Sequence, residues 1–371
     1  MSVSSVSNHG VMEGKGSYNR HSRIPAGGGA LALPLLEEAV GKIELDDGNA
    51  PVVVADYGSS QGKNSLSPMR AAIRVLRERI DIDRPVFVFH IDQPTNDFNT
   101  LFEVLAADPE RYALDEPNVF PCAVGRSFYE TVFPPKHVHL GWCSYAAVWL
   151  SRIPGPIPGH FVAHRSTGDV HAAFERQAAQ DWEAFLSLRT RELRSGGRLV
   201  VVLPGLDDEG ESGLADLFDH ANGALTEMVD AGEIRADERE QMVLGTYPRR
   251  RCELLAPFRV RGQFQDLRVE HYDIAPLADI AWADYERDGN VDALVSRHAL
   301  FFRSVFVPSL ALSLLDGHDT ERCRIFADHL ENRLKQRLAT QPAPLDSFVQ
   351  TMVLAKQDDF DSDAIRSPNE Q

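Results

Sequence analysis

The chain has 371 residues, 43% of them hydrophobic and 25% charged, which is enough to bury a large core and lies well inside the globular range. Its 38 Lys and Arg stand against 55 Asp and Glu, and the formal net charge of −17 repels a phosphate backbone, so nucleic acid is not an expected partner. No stretch reaches the roughly 18 apolar residues that a membrane span needs, and "MSVSSVSNHGVMEGKGSYNRHS" lacks the apolar centre of a signal peptide. Cys122, Cys143, Cys252 and Cys323 are widely spaced, without a C-x-x-C pair or a histidine pair at metal spacing. Free thiols, no metal site and a cytoplasmic location are the expectation.

In chain order, the first half alternates apolar runs with helical patterns. The runs are Pro51–Gly58, Arg84–Asp92, Asn118–Val124, His137–Ser144 and Gly196–Gly205, near-continuous in Val, Ile, Leu and Phe, as strands covered on both faces are. Between them lie "LSPMRAAIRVLRERI", "NDFNTLFEVLAA" and a long pattern from Asp169 that places Phe174, Ala178, Trp182, Phe185 and Leu188 on one side and stops at Gly196-Gly197, read as a C-cap. Strand and helix in turn predict a Rossmann-like, doubly wound, mainly parallel seven-stranded sheet. After Gly205 the pattern turns acidic and helical. The expected organisation is an α/β core over 1–205, a helical cap over 206–261, a core strand over 262–276, a second cap segment over 277–342, and a last strand with a frayed tail over 343–371. The basic cluster "YPRRRCELLAPFRVRG", Tyr247 to Gly262, has no interleaved aromatics and reads as a solvated helix start.

Chemistry is expected where the first strand ends. In an open parallel sheet, ligands bind beyond the carboxyl ends of the strands. The first strand runs into "ADYGSSQGKN", where Gly58 and Gly62 allow close backbone approach and a helix starting near Ser65 points its N–H groups at an anion. There is no G-x-x-x-x-G-K-[ST], which disfavours a triphosphate. The second strand ends in Asp92, 36 residues after Asp56, and an acid there accepts hydrogen bonds from ribose hydroxyls. The competing role, an N-cap for the next helix, is already filled by Asn96 or Asp97. A nicotinamide dinucleotide and S-adenosylmethionine both carry a ribose; the degraded G-x-G-x-x-G leans toward the one without a pyrophosphate.

Six ordered stretches, "GSYNRHS", "VVVADYGSSQGKN", "DQPTNDFNTLF", "GRSFYETVFP", "CSYAAVWLSRIP" and "FLSLRTRELRSGGRLVV", resemble the SABATH family of carboxyl methyltransferases from Gly16 to Val202, with a looser likeness beyond. The resemblance implies S-adenosylmethionine as methyl donor and a small carboxylic acid as acceptor. It also implies that Asp56, Gly58 and Asn64 surround the methionine end, that Asp92 takes the ribose with Gln93 beside the adenine, and that Ser127 and Phe128 complete the adenine pocket. Tyr18 and Ser22 would close over the donor. Trp149 would donate its indole N–H to the acceptor carboxylate, with Tyr145 and Val148 lining that pocket; without the resemblance, Trp149 reads as core filling. Family members commonly pair, so a homodimer is a further expectation.

One position departs from the family. Where carboxyl-methylating plant members carry a glutamine that donates to the carboxylate, this chain has Pro25, which has no N–H to give. Either Trp149 holds the acceptor together with a neighbour such as His21 or Gln61, or the head group differs, and the "AGGGALALPLLEEAV" that follows reads as apolar and flexible. An ionised acid needs no general base, which agrees with the absence of a His–Asp or Ser–His pair. Leu214, Leu217, Phe218, Leu225, Phe301, Phe302, Phe306 and Leu310 are candidates for a hydrophobic tunnel or for ordinary cap core. The expected acceptor is therefore an apolar or fatty acid. The alternatives are a small aromatic acid, N-methylation of a purine, a non-catalytic donor-binding protein and a nicotinamide-dependent oxidoreductase.

Overall fold

A computed structural model describes residues 10–114, 116–206, 210, 212–260, 262–315 and 319–357; the expected tail from Asp358 lies outside the described residues. Helices α1 (Ser17–His21), α2 (Arg23–Leu31) and α3 (Leu33–Gly41) precede β1 (Val52–Tyr57), α4 (Leu66–Arg77), β2 (Val86–Asp92), α5 (Phe98–Ala107), β3 (Val119–Gly125) and β4 (Val138–Ser144). Then come α6 (Gly168–Glu192), β5 (Leu193–Gly205), α7 (Ala215–Asp230), α8 (Ala236–Gln241), α9 (Arg251–Leu254), β6 (Gln263–Phe264) and β7 (Leu267–Leu277). The last elements are α10 (Ile280–Asp288), α11 (Val291–Ala311), α12 (Thr320–Thr340) and β8 (Ser347–Lys356).

The strands form one sheet in the order β3-β2-β1-β4-β5-β8-β7-β6. The first five in that order are parallel, while β8 runs antiparallel to β5 and β7 antiparallel to β8. The expected seven strands are present, and the two-residue β6 adds an eighth at the β7 edge. Alternate side chains supply two cores: Val52, Val54, Val200 and Val202 meet α3, α4 and α5, while Val53, Ala55, Leu199 and Val201 meet Trp182 and Phe185 of α6. The chain reverses its winding between β1 and β4, and this switch point opens a crevice at the strand ends. Above it, α7, α11 and α12 share a third core built on Leu217, Leu225, Phe302 and Leu310.

Three local expectations change. Helix α6 ends at Glu192, not at Gly196-Gly197; those glycines lie inside β5, where the Gly196 carbonyl accepts from the Glu44 N–H (3.2 Å) and the Arg198 guanidinium (2.6 Å). The run after Pro25 is not flexible: it is helical, as α2 and α3, because Gly28 lets α2 lie against Tyr145, whose hydroxyl would sit 2.4 Å from any Cβ at that position. Nor is the basic cluster wholly solvated. Arg249 is only 2% exposed and donates to the carbonyls of Ala147 (2.6 Å) and Ala178 (2.7 Å), tying the segment to α6.

A buried ion pair fixes the loops around the crevice. Arg189 donates to Glu192 Oε1 (3.1 Å) and to the carbonyls of Phe128 (2.9 Å) and Glu130 (3.2 Å), while Glu192 accepts from Val132 N (2.7 Å) and the Tyr57 hydroxyl (2.9 Å). Removing one member leaves the other charged, buried and unpaired, so Arg189→Met should lower unfolding free energy by about 3–5 kcal/mol. Urea denaturation followed by tryptophan fluorescence measures it; a loss under about 1 kcal/mol would show that the pair is replaceable.

Candidate active site

One cavity of about 410 Å³ occupies the crevice and runs from the ends of β1 and β2 to the inner face of the cap. At its floor, β1 gives way to a turn in which Gly58 has φ 91° and its N–H donates to the Ile91 carbonyl (2.8 Å). A Cβ on Gly58 would lie 2.1 Å from that of Ala146, so only glycine keeps the turn closed against the β4 loop. The hydroxyls of Ser59 and Ser60 and the amide oxygen of Gln61 are buried there without partners. Of these, Ser60 lines the cavity, and its orphaned hydroxyl fits a polar ligand that would complete its hydrogen bonds.

Asp92 sits beside this turn. Its Oδ2 accepts from Ser60 N (2.7 Å) and its Oδ1 from Gln93 N (2.7 Å), while burial, reinforced by the charge of Asp56, raises its pKa to about 6. These two N–H donors favour the ionised form, yet burial still dominates. Asn96 closes the same corner, donating to the Ser60 carbonyl (2.8 Å).

The structure separates the residues implied by the resemblance into groups. Tyr18, Gly58, Asp92, Gln93, Ser127, Phe128, Pro25, Tyr145, Val148 and Trp149 all line the cavity. Asp56, Ser22 and Asn64 do not. Asp56 is 2% exposed, and its Oδ2 accepts from the Ser65 hydroxyl (2.5 Å) and pairs with His90 Nδ1 (2.9 Å), whose other nitrogen meets the Tyr112 hydroxyl (2.8 Å). Asn64 donates to the Ser22 hydroxyl (3.0 Å), and both lie against the Tyr18 hydroxyl, which burial pushes up to about 12. These three act behind the wall, holding α1 and the turn in place.

His21 and Gln61, the expected substitutes for the family glutamine, do not line this cavity. His21 lines a second, smaller cavity, and Gln61 is turned away, its amide donating to the Glu13 carbonyl (2.7 Å). Pro25 is the third residue of α2, where a helix leaves its N–H without an internal partner.

Sequence reasoning missed several lining residues: Ser60, Asn96, Tyr129, Glu130, Ile24, Thr246 and the strap Gly10–Met12. Tyr129 had a signal in its place beside Phe128 in "GRSFYE"; its ring meets that of Phe128 at 4.7 Å and its hydroxyl donates to the Trp149 carbonyl (2.7 Å). Thr246 had none, because its link to Trp149 is a bridge between segments distant in sequence. The strap is fastened at both ends, by Gly10 N to the Ser309 hydroxyl (3.1 Å) and Arg303 to Glu13 (2.9 Å). Four of the eight tunnel candidates, Leu214, Phe218, Phe301 and Phe306, line the cavity; Leu217, Leu225, Phe302 and Leu310 are cap core.

A doubly wound sheet, a glycine turn after β1, an acid ending β2 and a capped cavity come together at the switch point, the place where open α/β sheets bind their ligands. Residues 4–353 match the family described as SAM dependent carboxyl methyltransferase, and the chain belongs to that family. Curated relatives include the methyltransferase FUS9 of Gibberella moniliformis, 30% identical over 65% of each chain. Others are a benzoic acid/salicylic acid carboxyl methyltransferase of Petunia hybrida (29%, covering 69% of this chain and 76% of that one) and the loganic acid O-methyltransferase of Catharanthus roseus (30%, 62% and 66%). The match thus spans 65% of the length of FUS9. Among solved structures, loganic acid methyltransferase with SAH superposes with a TM-score of 0.75 at 22% identity, over 94% of this chain and 99% of that one, which establishes the shared fold.

The raised pKa of Asp92 sets a pH dependence. A carboxyl with a folded pKa near 6 is ionised above that pH and protonated below it, and protonation turns one of its two acceptor oxygens into a donor and removes the charge that strengthens its hydrogen bonds. Affinity for S-adenosylhomocysteine should therefore be flat above about pH 7 and fall about tenfold per unit below pH 6. Calorimetric titration between pH 5 and 8 measures this, and Asp92→Asn should weaken binding at pH 7.5 and remove the slope.

Proposed function

We propose that the protein transfers a methyl group from S-adenosylmethionine to the carboxylate of an apolar acid, giving its methyl ester. The observation that carries this reading is the charge pattern of the cavity: its described lining includes Asp92 and Glu130 but no Lys, Arg or His. At the acceptor end, neutral donors face apolar walls.

When bound, the donor supplies an electrophilic methyl on a sulfonium; the carboxylate oxygen forms the new bond while the old bonding pair stays on sulfur, and no proton moves. Asp92, with Gln93 and Asn96 beside it, suits the ribose end, and Phe128 with Tyr129 offers faces for the adenine. Trp149 and Tyr145 suit the carboxylate. The Tyr145 hydroxyl is buried without a partner, and burial raises its pKa, so it keeps its proton at neutral pH and has an O–H to donate. It lines the same cavity as Pro25 and takes over the second hydrogen bond that proline cannot make. Two neutral donors orient the anion without stabilising it as strongly as an Arg pair would, which keeps the ground state reactive. Met12, Ile24, Leu214, Phe218, Phe301 and Phe306 surround it with apolar surface, favouring an aliphatic or aromatic tail and a desolvated carboxylate.

The test is methyl transfer from labelled S-adenosylmethionine to benzoic, salicylic and loganic acids and to saturated acids of increasing chain length, with esters extracted. Ester formation should rise with chain length. Tyr145→Phe and Trp149→Phe should each lower kcat/KM by about tenfold, with S-adenosylhomocysteine affinity unchanged. Donor binding without ester from any acid would overturn the reading in favour of a donor-binding protein.

The same charge pattern predicts an order of binding. A cavity whose ionised groups are acidic does not attract an anion until a cation occupies it. Initial-rate kinetics should show S-adenosylhomocysteine competitive against the donor and noncompetitive against the acid; random-order patterns would refute it.

A further inference from the structure

A second cavity of about 70 Å³ lies behind the acceptor wall, and Ile24 and Phe301 line both. A single layer of side chains therefore divides the two spaces. The chemistry changes across it. Where the main cavity has no basic residue among its described lining, this one has Arg23, Arg297, His21 and His298.

Its one acid is already committed. Asp279 Oδ2 accepts from His298 Nε2 (2.8 Å) and from Leu345 N (3.0 Å), and its Oδ1 accepts from Ala281 N (2.9 Å). Arg297 meets Asp284 through a single nitrogen (2.5 Å). Ser347, at the start of β8, is 9% exposed, and its hydroxyl is buried without any partner. An orphaned buried hydroxyl in a small, basic space is matched by a ligand oxygen that accepts from it.

We infer that this cavity receives the far end of the acceptor and that this end is a second carboxylate, so that the preferred substrate is a dicarboxylic acid methylated at one end. This rests on the carboxyl-methylation reading above. One carboxylate lies at Tyr145 and Trp149, the aliphatic chain follows the apolar wall, and the Phe301 side chain, which separates the two cavities, turns aside to let the other carboxylate reach Ser347 and Arg297. The neutral donors at one end and the basic ones at the other also decide which end reacts. A carboxylate held by a guanidinium is too strongly stabilised to attack, whereas the one held by an indole and a phenol is free to.

The experiment compares saturated monoacids with diacids of equal carbon number, scoring the monomethyl ester, in the wild type, Ser347→Ala and Arg297→Met. The wild type should favour the diacid of optimal length by about tenfold or more in kcat/KM. Each variant should remove about tenfold from the diacid value while leaving the monoacid value and the urea midpoint unchanged. Equal rates for monoacids and diacids in the wild type would overturn the inference alone, as would variants that lower both substrates alike. Transfer to no acid of either kind would overturn the underlying reading and this inference with it.

Discussion

The buried Arg189–Glu192 pair organises the crevice from beneath. Arg189 is fully buried and Glu192 1% exposed, so each needs the other and every additional hydrogen bond it makes. Those bonds go to the segment that follows β3, to the Tyr57 hydroxyl at the end of β1, and, through the Glu192 carbonyl, to His137 N (2.8 Å) ahead of β4. The Arg189 guanidinium also lies 4.1 Å above the Tyr57 ring. One ion pair thus sets the relative position of three strand ends. Phe128 and Tyr129, which wall one side of the cavity, hang on it directly.

A second set of interactions fixes the opposite side. Asp97 caps α5 by accepting from Thr100 N (3.0 Å) and also accepts from Lys15 N (2.9 Å), so a core helix holds the start of α1. Glu13 reaches the other way, to Arg303 of α11, which is shared with Asp328 and Glu331 of α12. The strap is therefore the joint between the sheet and the cap, and its residues Val11, Met12 and Tyr18 face the cavity. The same contacts that attach the cap also place this segment along the cavity.

The strand series was legible because both faces of the sheet are covered, which writes each central strand as an uninterrupted apolar run. Asp92 was legible because its neighbours already supplied the helix cap; Asp97 fills that role here, leaving Asp92 to face the cavity. What the sequence concealed depends on contacts between distant segments. "AGGG" reads locally as a flexible run, and it is a helix because Gly28 packs on a tyrosine more than a hundred residues away. Arg249 looked like one of a solvated cluster, and it is buried because the carbonyls of Ala147 and Ala178 lie within its reach. His21 and Gln61 had the right chemistry to replace a lost donor, but α1 and the glycine turn direct them elsewhere.

In the proposed reading Tyr145 supplies the second donor that Pro25 cannot. It has φ 56°, unusual for a tyrosine, and its N–H is held by the Val202 carbonyl (2.8 Å). That backbone conformation points the ring toward α2, where Gly28 leaves just enough room for it, and the hydroxyl ends in the cavity without a partner. A strained residue kept in place by a glycine on a neighbouring helix is costly unless its side chain is used. Pro25 and Gly28 lie one turn apart on α2, so the residue that cannot donate and the residue that makes room for the Tyr145 ring belong to the same helix.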